Sequence, residues 1–378
     1  MTNSAPFLNM GISDIYIEVT QGCDDRNPTP ASYYKLKQKP GAEEDPTLRF
    51  SSEYDASLNM LRKEVIRGKG IDAKEDGDGN FSITYGGVRM RCCVSPTISS
   101  NRNSNEREEW ACIRVFDGKE PDLDELKFKS DHAITVLKRL VKRTGLVLIS
   151  GPTGGGKSTT GLASFRYCMA SVGGTGMMLE DPCEFVMQGE FSGNPGKAVI
   201  FQREVRKPED WVDGSRRALR FKPHCVFIGE LRDPDAVAQV LRLAISGHLV
   251  YATIHAGTVE QAIQSLICIA KASIGDLASQ LVADGLVAVI NQKFVDGVVD
   301  MTVLEIPTDM ATAIRSDIRS DDFKALRQEI ETQSRKHANS APAPQTQPRT
   351  STVSTSAARQ AKAPPRRPEP EKKRGWFK

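Results

Sequence analysis

Ten consecutive residues, Gly151-Pro152-Thr153-Gly154-Gly155-Gly156-Lys157-Ser158-Thr159-Thr160, constrain this chain more than any others. They follow the apolar run Leu146-Val147-Leu148-Ile149 and lead into residues 160–169, whose pattern suits a helix. Strand, glycine-rich turn and helix in that order form the setting of a phosphate-binding loop. Glycines let the backbone curl so that successive N–H groups face phosphate oxygens, and the helix N-terminus adds partial positive charge. Within Gly151 to Thr159, Lys157 has the reach for β- and γ-phosphates, and the Ser158 hydroxyl can ligate Mg²⁺. The expected ligand is a nucleoside triphosphate.

The rest of the chain supplies a frame for that loop. Short apolar runs at residues 145–150, 176–180, 198–202, 225–228 and 249–254 alternate with helical patterns near 211–221 and 235–245. Continuous apolar strands spaced by helices imply a parallel sheet covered on both faces, with ligands beyond the carboxyl ends of its strands. Ser130 is placed to cap a helix running to Arg143, helices are expected over 258–270 and 275–288, and a hairpin over 294–306. The first 121 residues read as a separate α+β domain, with a strand at 14–19, a helix at 55–65, a hairpin at 81–94 turning at Gly86-Gly87, and a strand at 109–115. Residues 72–80 superficially suggest a calcium loop, but Lys74 and Ile83 fall on ligand positions, so a polar turn is expected. Residues 122–130 form a linker, with a hinge expected at 117–126, and 131–333 form the nucleotide-binding domain.

Composition sets outer limits. The chain has 378 residues, 39% hydrophobic and 26% charged, which is ordinary for a soluble protein. No run of eighteen apolar residues occurs, and residues 1–10 lack the pattern of a signal peptide. A cytosolic setting with reduced cysteines is therefore expected, and the eight cysteines contain no C-x-x-C pair that would suggest zinc. Eleven Lys/Arg and two Asp/Glu lie in residues 333–378, leaving forty against forty-six in the preceding 332. An acidic body argues against direct nucleic-acid binding. Residues 334–378 are rich in Pro, Ala, Ser and Thr and are expected to be a disordered basic tail. Its tip, Lys372-Lys373-Arg374-Gly375-Trp376-Phe377-Lys378, reads either as a patch for an anionic membrane, a nucleic acid or a docking partner, or as a solvated linker end.

Three further segments fall at expected strand ends. In Glu180-Asp181-Pro182-Cys183-Glu184-Phe185, either Glu180 or Asp181 can point at a metal. Val226-Phe227-Ile228-Gly229-Glu230 has a Walker B layout with Gly229 where an aspartate is usual, so metal contact there is indirect or supplied by Glu180. Glu230 remains free to orient and deprotonate a water. Residues 247–255 form a strand bracketed by His248 and His255.

In this order and spacing the four segments resemble the PilT/GspE secretion-ATPase superfamily over roughly residues 14–307. Gly151 to Thr159 is similar to that family's GPTGSGKST with Gly155 for Ser, and Glu180 to Phe185 to EDPIEF with Cys183 for Ile. Ile228 to Asp233 is similar to IGEMRD with Leu231 for Met, and Gly247 to Ala256 to the family's His box with Ala256 for Thr. Ala288 to Phe294 is similar to AVISQRL. The resemblance implies a RecA-like doubly wound α/β domain behind a smaller PAS-like α+β domain, and hydrolysis of ATP with Mg²⁺. It further implies Lys157 and Ser158 on phosphate and metal, Glu180 on Mg²⁺, Glu230 polarising water, and His255 sensing the γ-phosphate. Arg91 and Arg114 occupy strand positions like those from which the family brings arginines onto the γ-phosphate.

Arg220-Phe221-Lys222-Pro223-His224 stands where many family members read REDPD. Length and motifs look most like DotB-type ATPases of type IVB secretion and TraJ-like conjugation proteins. That implies a cytoplasmic homo-hexamer working on inner-membrane secretion or conjugation machinery, beside a second cytoplasmic ATPase, with peripheral membrane association. A pilus retraction ATPase and a nucleic-acid-translocating hexamer are the alternatives.

Overall fold

The computed structural model describes residues 6–20, 32–36, 47–74, 79–98, 107–116, 119–192, 197–306 and 311–339. Alternating polar and apolar residues near the N-terminus produce β1 (Ile12–Glu18), β2 (Ser32–Leu36) and β3 (Leu48–Arg49). Helix α1 (Asp55–Lys74) follows, and then β4 (Asn80–Tyr85), β5 (Val88–Ile98) and β6 (Arg107–Val115). The six strands form one antiparallel sheet in the order β3-β2-β1-β6-β5-β4. One face is apolar: Ile15, Ile17, Met90 and Ile113 pack with Leu58, Leu61 and Val65 of α1. Side chains alternate across a strand, so the intervening positions face the other way. Asp14, Arg114 and Arg91 sit opposite one another on β1, β6 and β5, forming a charged row on that second face. The expected hairpin at 81–94 is present with its turn at Gly86-Gly87. Asp72, within α1, accepts a hydrogen bond from the Gly79 N–H at 3.0 Å, while 75–78 lie outside the described residues.

The second sheet is built from α2 (Asp131–Leu140), β7 (Gly145–Gly151), α3 (Lys157–Val172), β8 (Gly174–Glu180), β9 (Gly189–Ser192), β10 (Lys197–Glu204) and α4 (Pro208–Phe221). It continues with β11 (Cys225–Ile228), α5 (Pro234–Ile245), β12 (Leu249–His255), α6 (Val259–Ile274), α7 (Leu277–Gly285), β13 (Leu286–Val295) and β14 (Val298–Glu305). Strand order is β14-β13-β7-β12-β11-β8-β10-β9, parallel throughout except for the antiparallel outermost pairs. The apolar run of β7 is explained by its two neighbours above and below. Leu146 and Leu148 pack with α5, α6 and α7, whereas Val147 and Ile149 pack with α2 and α3. Each such side chain, fully buried, contributes about 1.5–3 kcal/mol. This is the doubly wound α/β arrangement expected from the strand pattern.

Several boundaries differ from expectation. Helix α2 stops at Leu140 rather than Arg143, and Ser130 caps it by accepting from the His132 N–H. Residues 286–288, expected in a helix, open β13 instead, because their backbone pairs alongside β7. Helices α8 (Ala311–Arg319) and α9 (Phe323–Asn339) were not expected. Helix α9 runs past residue 334, so the boundary set there for a disordered tail is too early. Its Gln333 side chain bonds both the N–H and the carbonyl of Glu305 at 2.9 Å, covering the exposed edge of β14. Residues 340–378, including the basic–aromatic tip, lie outside the described residues.

The expected hinge at 117–126 also changes character. Asp117 and Gly118 lie outside the described residues, but the stretch after them is tied down. Arg166 of α3 pairs with Glu120 and Asp122, and residues 127 and 129 hydrogen-bond the Val299 backbone of β14. Residues 120–129 therefore belong mechanically with the second sheet.

Candidate functional site

Between the two sheets lies a cleft of about 430 Å³, at the carboxyl ends of β7, β8, β11 and β12. Its floor is the glycine-rich loop. Gly154 and Gly156 adopt φ of +75° and +76°, values that L side chains rarely tolerate, and α3 starts at once with Lys157. No acidic residue occupies the first turn of α3, so its terminal N–H groups remain available to an anion. Thr153, Gly154, Gly156, Lys157, Ser158 and Thr159 line the cleft. Gly151, Pro152 and Gly155 stand behind it and shape the loop. The Pro152 carbonyl accepts from the Gly155 N–H at 3.1 Å and from the Lys157 ammonium at 2.9 Å.

Lys157, Glu230 and His255 come together from three elements. The Lys157 Nζ lies 3.4 Å from His255 Nδ1, and His255 Nε2 lies 3.2 Å from Glu230 Oε1. The other Glu230 oxygen accepts from Arg232. Burial pulls the Lys157 ammonium below its ordinary pKa, opposed by the Glu230 carboxylate, with Arg232 adding to the depression.

Gly229 explains how Glu180 comes to face the same space. A Cβ at position 229 would sit 3.3 Å from the Glu180 Cα and 3.4 Å from the Leu179 carbonyl oxygen. The Gly229 N–H in fact bonds that carbonyl at 2.8 Å. A side chain at 229 would therefore be a close fit against β8, and with glycine there Glu180 is the acid at the junction of β8 and β11. Glu180 is 3% exposed, and the Gln202 amide donates to it at 2.9 Å. Burial pushes its carboxyl up to about 8, helped by the nearby Glu184 and Glu204 carboxylates and opposed by the Gln202 hydrogen bond. Ser158 and Glu180 both line the cleft, and a hydroxyl with a carboxylate is an oxygen donor set suited to Mg²⁺.

The opposite wall belongs to the N-terminal sheet. Arg91 and Arg114 both line the cleft, with Arg114 bonded to Asp14 at 3.2 Å. They face Glu184, whose carboxyl burial raises and whose two arginine neighbours lower. Arg89, two residues before Arg91 on the same strand, joins this wall to the other. Its guanidinium donates to Glu204 and, at 3.2 Å, to the Cys183 carbonyl, linking the hairpin to the segment that carries Glu180. Arg89, Gln202 and Glu204 lie outside any motif. The alternation of β5, which puts residues 89 and 91 on one face, is the signal for Arg89, and that of β10, which puts 202 and 204 on one face, the signal for the other two.

The chain can be set beside known proteins at this point. Residues 69–341 match the family described as Type II/IV secretion system protein. The type IV pilus retraction ATPase PilT of Pseudomonas aeruginosa is 31% identical over 266 residues, covering 69% of this chain and 72% of that protein. A twitching motility protein of Neisseria gonorrhoeae is 30% identical over 195 residues, 51% of this chain and 49% of that one. The chain thus spans about half the length of some curated relatives it matches. Among solved structures, the pilus retraction motor PilT with bound ADP aligns at a TM-score of 0.63 and 25% identity, over 86% of this chain and 87% of that one. The Legionella pneumophila ATPase DotB aligns at 0.64 and 19% identity, over 87% and 89%, a likeness of fold. With a family match that takes in most of its length and the characteristic loop at its centre, the chain belongs to the Type II/IV secretion system protein family.

Proposed function

We propose that the chain hydrolyses ATP to ADP and phosphate and works as a motor for a type IV, IVB-like, secretion or conjugal transfer system. The observation that carries this reading is the contact chain Lys157–His255–Glu230 at the mouth of a phosphate-binding loop. The loop N–H groups and Lys157 hold the β- and γ-phosphates. Glu230, steadied by Arg232 and His255, takes a proton from the attacking water as its oxygen bonds to the γ-phosphorus and the bond to ADP breaks. His255 touches both the lysine and the acid, so a change at the phosphates reaches Glu230 through one side chain.

Ser158 and Glu180 would hold Mg²⁺, which supplies charge neutralisation on the phosphates when bound. Arg91 and Arg114 complete the cleft from the N-terminal sheet and are assigned to the charge that develops on the transferred phosphoryl group. Water exclusion follows when the two walls approach. We assign the working form to a homo-hexamer in the cytoplasm at the inner membrane. Among the described residues no helix is long and apolar enough to cross a membrane.

The test is Glu230→Gln, which keeps the side chain's size and removes its basicity. Phosphate release should fall by about 10²–10⁴-fold while ATP binding persists. A variant that turns over at the wild-type rate would remove Glu230 from the role. A second reading, a pilus retraction motor, is favoured by the 31% identity that spans 72% of PilT. Retention of the ATP-loaded Glu230→Gln variant on purified pilus machinery, rather than on a secretion or conjugation channel, would select it.

A further inference from the structure

Strand β13 is apolar from Leu286 to Ile290 and then carries two polar residues, Asn291 and Gln292, beside the end of β7. Gln292 is fully buried, and its Nε2 donates to the Gly155 carbonyl at 2.6 Å. Its backbone oxygen lies so near Gly151 that a Cβ there would approach to 2.2 Å, which restricts position 151 to glycine. Asn291 points the other way. Its Nδ2 donates to Ser150 Oγ and to the Ala256 carbonyl, both at 3.0 Å. Ala256 directly follows His255.

Packing alone does not call for Gln292. Its Oε1 is buried without a hydrogen-bond partner among the described residues, a cost that an apolar side chain of similar size would not incur. What the amide contributes is on its donor side. In a trans peptide the C=O and the following N–H point in opposite directions. Drawing the Gly155 carbonyl down toward β13 therefore aims the Gly156 N–H up, toward the cleft that Gly156 lines. Asn291 acts on the other partner in the same manner, by holding the carbonyl next to His255.

We propose that Asn291 and Gln292 are positioning residues that register the phosphate loop and the His255 turn against each other from one strand. The inference rests on the nucleotide-binding reading above. Its test uses the intact chain, with fluorescent mant-ADP as the binding probe and phosphate release as the rate. Gln292→Met, close in size and without a donor, should weaken mant-ADP binding about tenfold while melting no lower than wild type without nucleotide. Asn291→Ala, and Asn291→Asp, which keeps the shape but not the donor, should each lower kcat about tenfold with mant-ADP affinity within about threefold of wild type.

The proposal falls if Gln292→Met binds the probe like wild type, or is recovered destabilised or unfolded, since the donor then serves only the fold. It also falls if the Asn291 variants keep full turnover or lose binding and turnover together. A wild-type chain that fails to bind mant-ADP would instead defeat the nucleotide reading itself.

Discussion

The two walls of the cleft hold their charges by different means. On one side Lys157 is 7% exposed and sits at the first position of α3, its direction set by a backbone curl between a buried strand and a helix. On the other side Arg91 and Arg114 extend from one face of a sheet whose opposite face alone is packed, and the Arg114 side chain is 67% exposed. A charge carried by backbone geometry is preorganised and costs little to use. A long exposed guanidinium must be ordered when it acts, which suits a group that is to engage at one stage and withdraw at another. On the function proposed above, the first wall is the one that binds and the second the one that responds.

The largest effects should separate these walls. Lys157→Ala is expected to abolish measurable ATP hydrolysis and to weaken nucleotide binding. Arg91→Ala and Arg114→Ala should lower kcat by about 10–10³-fold with nucleotide affinity little changed. Equal losses of mant-ADP binding in the lysine and arginine variants would break the contrast.

A smaller effect concerns Glu180, held on the binding wall. Its folded-state pKa is raised from 4.5 to about 8, so between those values the native protein holds a proton that the unfolded chain releases. Stability from this group is full below about pH 4.5 and is lost as pH rises toward 8. Without nucleotide or divalent cation, melting temperature should decline over that range, and Glu180→Gln should flatten the decline. An identical slope in the variant would place the titration elsewhere.

The smallest expected effect tests the link between the walls. Arg89→Ala removes the side chain that joins β5 to Glu204 and the Cys183 carbonyl, leaving a mostly buried carboxylate with the Cys183 N–H but without its cation. The expected cost is about 1–3 kcal/mol, seen as a fall of a few degrees in melting temperature. If Arg89→Lys restored the loss in full, a point charge would suffice and the two-pronged geometry would be incidental.

Legibility in the sequence followed the kind of burial. Strands β7, β8, β11 and β12 are covered on both faces, so their apolar runs announced them, and the motif residues stand at their ends. The N-terminal hairpin was readable from its alternation and its Gly86-Gly87 turn. Residues 286–288 were not, because a short apolar run reads equally as helix or strand until a neighbour pairs with it. Helix α9 owes its place to the β14 edge it covers and α8 to its packing on α7, surfaces that do not exist until the domain has formed.

The chain's order of residues determined the loop, its preceding strand and following helix, and the acids and histidine at successive strand ends. Those follow from local backbone chemistry and from periodicity, which act over a few residues. Only the tertiary structure decided that His255 lies between Lys157 and Glu230, and that Arg89 reaches Glu204 across 115 positions of sequence. It likewise decided that an asparagine and a glutamine on β13 bond backbone carbonyls beside His255 and within the loop. Such contacts depend on which strands become neighbours, and that is settled by the packing of the whole sheet rather than by any one segment.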